Sequence, residues 1–196
     1  DSLGREGFKQ DLQENLDDLR RCGAEAVLGY RAPFFSFSKA TQWAYEVLEE
    51  CGFQYSSSVL PARNPQYGWP EFGTDIRRLN NLWELPVSVA SFRGLGVPYA
   101  GGAYFRVVPF WLILYLCRRS LRRGYAVRGY FHPYDIDAKE ERFNFPGIDS
   151  RFFNHLLYYG RDTVLNKLAM LFEKTNCYVV PYIDYVRRLV HDEKAD

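Results

Sequence analysis

The chain is poor in the residues that usually announce a function. It has only three histidines in 196 residues, and no HxxxH or HExxH spacing. The two commonest helical zinc patterns are therefore absent. Its four cysteines, Cys22, Cys51, Cys117 and Cys177, lie far apart and form no CxxC pair. That spacing excludes a zinc ribbon and a dithiol redox motif. Cys51 and Cys117 sit in apolar, helix-like segments and read as small core residues. Unpaired thiols lean towards a reducing compartment, and the expectation is a cytoplasmic protein. Neither sign of charge dominates: the net charge is +1. This argues against a dedicated nucleic-acid surface. There is no phosphate-loop pattern and no dinucleotide fingerprint. No internal repeat and no low-complexity tract occurs.

Long hydrophobic runs are missing too. Residues 107–117 are strongly apolar but fall short of the roughly 20 residues that a spanning helix needs, so no transmembrane segment is expected. The basic residues Arg118, Arg119, Arg122 and Arg123 follow. The first reading is a buried helix with a solvated basic end, and attachment to a membrane surface is the second. No signal peptide and no initiator methionine is seen. The polar opening Asp1-Ser2-Leu3-Gly4 reads as mid-protein, and the expectation is a piece of a longer chain. The sequence does not fix an oligomeric state.

What is abundant is aromatic: fifteen Tyr, fifteen Phe and four Trp. Such side chains fill cores and also line carbohydrate-binding grooves. Length and composition suit a single domain over 1–190, followed by a charged tail at 191–196.

Phe8, Leu12, Leu16 and Leu19 follow helical steps and predict a helix over 8–22, ended by Gly23. A short buried strand is predicted over 26–30. Ser38 is a plausible N-cap for a helix over 39–51, closed by Gly52. Strands are predicted over 53–60, 82–89, 126–131 and 178–180. Residues 61–82 read as a long loop and 92–102 as a glycine-rich stretch. Further helices are predicted over 109–123, 149–159, 161–175 and 183–190. Strands alternating with helices imply an α/β layer or barrel, with catalytic residues gathered at the carboxyl ends of the strands.

His132 ends the predicted strand 126–131, in Tyr130-Phe131-His132-Pro133-Tyr134-Asp135-Ile136-Asp137. Histidine titrates nearest neutrality, and a strand end opening into a loop suits proton transfer. A backbone-satisfied strand cap is the equal alternative. Arg31, between a strand and Pro33, can hold a carboxylate bidentately or serve a structural salt bridge. Ser56, Ser57, Ser58 and Glu84 fall towards other strand ends. Gly101-Gly102 would let backbone approach a ligand, with Tyr104 and Arg106 facing a sugar or an anion, or would form an ordinary turn. His155 lies in a predicted helix among Phe and Leu, and His191 in the tail. Neither reads as a metal ligand.

These motifs, in order, resemble the polysaccharide deacetylase family, carbohydrate esterase family 4. They are Gly29-Tyr30-Arg31-Ala32-Pro33-Phe34-Phe35-Ser36, then Trp43, Leu48, Gly52-Phe53-Gln54-Tyr55-Ser56-Ser57-Ser58 and Pro61. Glu84-Leu85-Pro86-Val87-Ser88, Gly101-Gly102-Ala103-Tyr104-Phe105-Arg106 and the His132 segment follow. The last three look most like the subgroup found with exosortase and exopolysaccharide loci. The resemblance spans roughly residues 8 to 186. It implies a distorted (β/α) barrel, here incomplete at its N-terminal strands, in an enzyme that removes N-acetyl groups from a polysaccharide or other N-acetylated sugar. It implies a divalent metal, usually zinc, held by one Asp and two His, with a second Asp as general base. Neither the TFDDG-like nor the HxxxH motif carrying them occurs here, so the metal ligands are expected upstream of this chain and none within it. By resemblance, Arg31 is the arginine that tethers the base, and His132 the acid that protonates the leaving amine. Phe131 helps form the acetyl pocket, and Pro33, Tyr104, Arg106 and Tyr134 complete the substrate-binding set. Ser56 stands where related sequences usually carry Asp, and Asp135 or Asp137 could replace it in tuning His132. The stretch by itself is expected to be inactive. The alternatives are a catalytically inactive relative that binds carbohydrate, or a hydrolase of a small amide.

Overall fold

The computed structural model describes residues 3–64, 67–92, 95–143 and 151–193. Helix α1 (Gly4–Arg21) forms where apolar residues recur every four positions, burying Leu12 and Leu16. Glu6 in its first turn and Arg20 and Arg21 in its last complement the helix dipole. Strand β1 (Gly29–Tyr30) follows. Ser38 does cap the next helical segment: its N–H donates to the Thr41 hydroxyl at 2.9 Å, and the Thr41 N–H bonds back to the Ser38 carbonyl. A short 3-10 turn there leads into α2 (Trp43–Glu50). At its end Gly52 takes φ +85°, so its N–H reaches the Glu49 carbonyl and the Phe53 N–H reaches Leu48. This left-handed closure satisfies carbonyls that the helix leaves open.

Strand β2 (Tyr55–Ser56) is far shorter than the predicted 53–60. The predicted loop 61–82 holds β3 (Arg77–Leu79), which turns through Asn80 and Asn81 into β4 (Leu82–Glu84). Asn80 adopts φ 56°, the conformation that a two-residue hairpin turn requires. The sheet order is β1-β2-β4-β3. β1, β2 and β4 run parallel, with Gly29 opposite Tyr55 and Tyr55 opposite Trp83, while β3 is antiparallel to β4. Leu82 enters one core with Leu12, Leu16, Val47, Leu48 and Val59. Trp83 points the other way.

After β4 come a hairpin of β5 (Val89–Phe92) and β6 (Leu95–Pro98), then α3 (Gly102–Val107) and α4 (Phe110–Arg122). Neither β6 nor α3 was among the predicted elements. The predicted strand 126–131 forms only one isolated bridge, from Tyr130 to Gly101. Its N–H groups are met otherwise: Arg128 donates to the Ser88 hydroxyl at 2.9 Å. Helices α5 (Pro133–Ile136), α6 (Arg151–Tyr158) and α7 (Val164–Thr175) complete this stretch. Residues 149 and 150 of the predicted helix 149–159 lie outside the described residues. Phe105, Ile113, Cys117, Val164 and Leu171 share one core. No strand forms over 178–180. The final helix α8 (Tyr182–Glu193) covers Trp83 and Leu85 with Val186. Of the expected charged tail, 191–193 are thus its last residues and 194–196 lie outside the described set.

Contacts group the chain into two units, Asp1–Val87 with Val179–Asp196, and Ser88–Tyr178. The whole is mixed helix and strand, with helix predominating. Among the described residues, no helix is long and apolar enough to cross a membrane.

Candidate functional site

In the first unit, the carboxyl ends of the three parallel strands bring polar groups together. Arg31 directly follows β1. Its Nε donates to the Ser57 carbonyl and a terminal nitrogen to the Ser57 hydroxyl, both at 3.2 Å. The Phe35 and Tyr182 rings lie 5.5 and 5.3 Å from the guanidinium carbon. Among the described residues, no carboxylate pairs with Arg31. A fixed, exposed cation held by neutral acceptors is suited to receive an anion.

The platform under Arg31 is built from buried groups. The Ser58 hydroxyl accepts the Ala32 N–H at 2.9 Å and bonds the Ser56 hydroxyl at 2.8 Å. Glu84, at the end of β4, is fully buried. Its Oε1 accepts the N–H groups of Ser58 and Val59 at 2.8 and 3.0 Å. Burial pushes its carboxyl above the usual range, against the hydrogen bonds that favour the charged form. Burial likewise raises the Tyr45 phenol, which neighbours Glu84. Sequence reading placed Glu84 in a strand but gave it no role.

Beyond Pro33, which is exposed, Phe34 and Phe35 adopt φ 57° and 52°. Two consecutive bulky residues in the left-handed region carry backbone strain of about 1–3 kcal/mol each. Phe34 is 78% exposed, so packing does not repay it. Nothing in the sequence signalled it.

In the second unit, His132 caps α5. Its N–H donates to Asp135 Oδ2 at 3.0 Å, and the Asp135 N–H returns to the His132 carbonyl at 2.9 Å. The imidazole is exposed and stacks on Tyr134, centroids 4.8 Å apart and planes 9° apart. Tyr130 meets its edge at 6.4 Å. Phe131 packs inward, edge-to-face on Phe105 at 5.1 Å. Tyr104 on α3 is 40% exposed.

Arg106 is placed otherwise than the sequence reading had it. It is buried, with Nε 3.2 Å from Asp135 Oδ1. Its Nη1 donates to the carbonyls of Leu156, Leu157 and Tyr159, closing the end of α6. Burial lowers its pKa, and Asp135 opposes the shift. So committed, the guanidinium serves the interior first, and Arg106 also lines a cavity of this unit. Asp135 bonds the backbone of His132, and Asp137 accepts the Lys139 N–H at 2.8 Å. These bonds of the two carboxylates therefore do not go to the imidazole.

The Gly101-Gly102 pair also serves the interior. A Cβ at Gly101 would sit 2.0 Å from the Tyr130 carbonyl oxygen. The close approach is to the chain's own backbone, two residues before His132. Gly101→Ala is expected to cost at least about 2 kcal/mol through overpacking and to displace the His132 turn. Thermal unfolding would measure the loss; an unchanged midpoint would contradict this packing.

A cavity of about 580 Å³ in this unit is lined by Arg142, His155, Tyr158, Arg161 and Lys167 among others; His132 is not in its wall. In the first unit, a cavity of about 320 Å³ is lined by Phe8, Tyr30, Phe37, Trp43 and Tyr67, with Ala32 at its wall.

A mixed α/β chain with Arg31 and His132 at its polar turns is what the geometry defines. The family described as Domain of unknown function (DUF3473) matches residues 57–180, and the chain belongs to that family. No curated protein and no solved structure matches it.

Proposed function

We propose that this chain is part of a hydrolase that removes N-acetyl groups from a polysaccharide or other N-acetylated sugar. The DUF3473 family is related to polysaccharide deacetylases, and the ordered motifs of the sequence support the same reading. The observation that carries it is Arg31: a cation clamped at a strand end by Ser57, exposed, with no carboxylate of its own among the described residues. In this reading Arg31 fixes the carboxylate of the general base. His132, exposed on its Tyr134 stack, gives a proton to the leaving nitrogen as the C–N bond breaks. Phe131, Tyr104, Tyr134 and Pro33 serve the sugar and its acetyl group. A distorted (β/α) barrel, to which β1, β2 and β4 contribute, is the proposed fold. Four unpaired thiols support a cytoplasmic setting.

The resemblance also implies a divalent metal, zinc in most of the family. Among the described residues, no three His, Cys, Asp or Glu side chains converge to hold one. In this reading the ligands of the ion come, as the resemblance implies, from residues upstream of this stretch.

The test is a substrate panel for the full-length protein. Acetate released from an N-acetylated oligosaccharide is expected. Hydrolysis of a small amide without acetate release from the sugar would replace the reading by the small-amide one. Sugar binding without any turnover would make the protein a binding relative.

A further inference from the structure

The outer face of α4 belongs to neither candidate constellation. Ile113 and Cys117 are buried in the core, which fixes how the helix is turned. Trp111, Tyr115, Arg118 and Arg122 follow at steps of four, three and four, so they form one stripe on the opposite side. Trp111 is 69% and Tyr115 56% exposed. Two large aromatic rings this open on one helix face make a patch that the core does not use. Arg119 and Arg123 flank the stripe, both exposed. Arg118 spends one nitrogen on the Lys174 carbonyl of α7.

The charge is as one-sided as the shape. Arg118, Arg119, Arg122 and Arg123 place four exposed cations on or just after α4, and residues 110–123 contain no Asp or Glu, although the whole chain has a net charge of only +1. On α7, which packs against α4, Glu173 and Lys174 stand side by side and cancel. The helix that carries these cations therefore holds no acidic residue to neutralise them.

We propose that this stripe docks the protein on a bilayer surface containing anionic phospholipids. Trp and Tyr are at home at the headgroup level, with the ring apolar and the N–H or O–H wet. Arginines pair with lipid phosphates while their stems lie along apolar surface. A convex stripe suits a planar surface, whereas a sugar or peptide chain is gripped in a groove. The helix lies on the membrane and does not enter it as a span. This proposal is independent of the deacetylase reading.

The test is flotation of the full-length protein with vesicles of phosphatidylglycerol and phosphatidylcholine in equal parts, against pure phosphatidylcholine. Binding is expected only to the anionic vesicles and is expected to disappear at high salt. The double variant Arg119→Gln/Arg122→Gln should weaken binding about 25-fold, about fivefold per arginine. Trp111→Ser should weaken it about tenfold. Both variants alter exposed side chains, and circular dichroism should show an unchanged fold. No binding to anionic vesicles at low salt overturns the proposal. So does equal binding to both vesicle types. Capture by soluble dextran sulfate without vesicle binding would assign the patch to a free polyanion instead. A dimer that Trp111→Ser dissociates, with vesicle binding unaffected, would assign it to a second copy of the chain.

Discussion

Glu84→Ala is expected to destabilise the protein by about 3–5 kcal/mol, while Glu84→Gln should be tolerated. The carboxyl is buried at the end of β4 and accepts two backbone N–H groups, from Ser58 and Val59. Alanine would orphan both in a dry interior, at about 1–3 kcal/mol each, and leave a void. Glutamine keeps one acceptor oxygen for that pair and offers an amide towards the Tyr45 hydroxyl, beside which Glu84 Oε2 is otherwise unmatched. The pH dependence separates the two variants further. Burial raises the folded-state pKa of Glu84 above its unfolded value. The folded state therefore holds this proton more tightly than the unfolded state. The resulting stability is complete below the unfolded pKa, near 4.5, and is lost as pH rises through the folded pKa. Wild type should thus lose ground to Glu84→Gln as pH rises above about 4.5. Urea unfolding of both at several pH values measures it; parallel pH profiles would remove Glu84 as the cause. The effect also reaches Arg31, because Glu84 fixes the Ser57-Ser58 turn on which that side chain rests.

Asp135→Ala carries a comparable expected loss, about 3–5 kcal/mol, because it strands Arg106 as an unpaired charge in the interior. Both side chains are almost fully enclosed, at 1% and 2% exposure. The same carboxylate holds the His132 N–H, so the cap of α5 goes with it. Asp135→Asn keeps an acceptor for that N–H and should cost less. Replacing both charges, as Arg106→Met with Asp135→Leu, should not restore wild-type stability, although an isolated buried pair often can be exchanged this way. The reasons are the His132 cap that Asp135→Leu removes and the second duty of Arg106, its three bonds to the carbonyls that end α6. Thermal unfolding of the set decides: full recovery in the double variant would mean that the cap bond and those three bonds together contribute little.

The helices were legible because their signals are local. Apolar spacing located α1, α4 and α7, and Ser38 and Gly52 marked the limits of the α2 segment. Strand positions were legible but their lengths were not. Runs such as 53–60 are apolar enough for a strand, yet from Ser57 to Val59 the N–H groups turn to the Tyr30 carbonyl and the Glu84 carboxylate. The hairpin of β3 and β4 was hidden in a stretch dominated by Pro, Gly and Asn, where Asn80 and Asn81 were themselves the turn. Among the candidate residues, Arg31 in the first unit and His132 in the second stood out through their neighbours in the chain. The roles of Arg106 and Asp135 did not. Their pairing joins positions 29 residues apart through the packing of α3 against α5, and both residue types fit a surface site equally well. The glycine pair misled for a related reason: a missing Cβ reports a close approach, but not to what.

Acetate release from an N-acetylated oligosaccharide by the full-length protein and its His132→Ala variant tests the deacetylase reading most directly. His132 is exposed, and its N–H bond to Asp135 survives the substitution, so the fold should persist. Turnover is expected to fall about 10²- to 10⁴-fold with bound metal unchanged. Wild-type turnover in the variant would contradict the assignment of His132 as the proton donor.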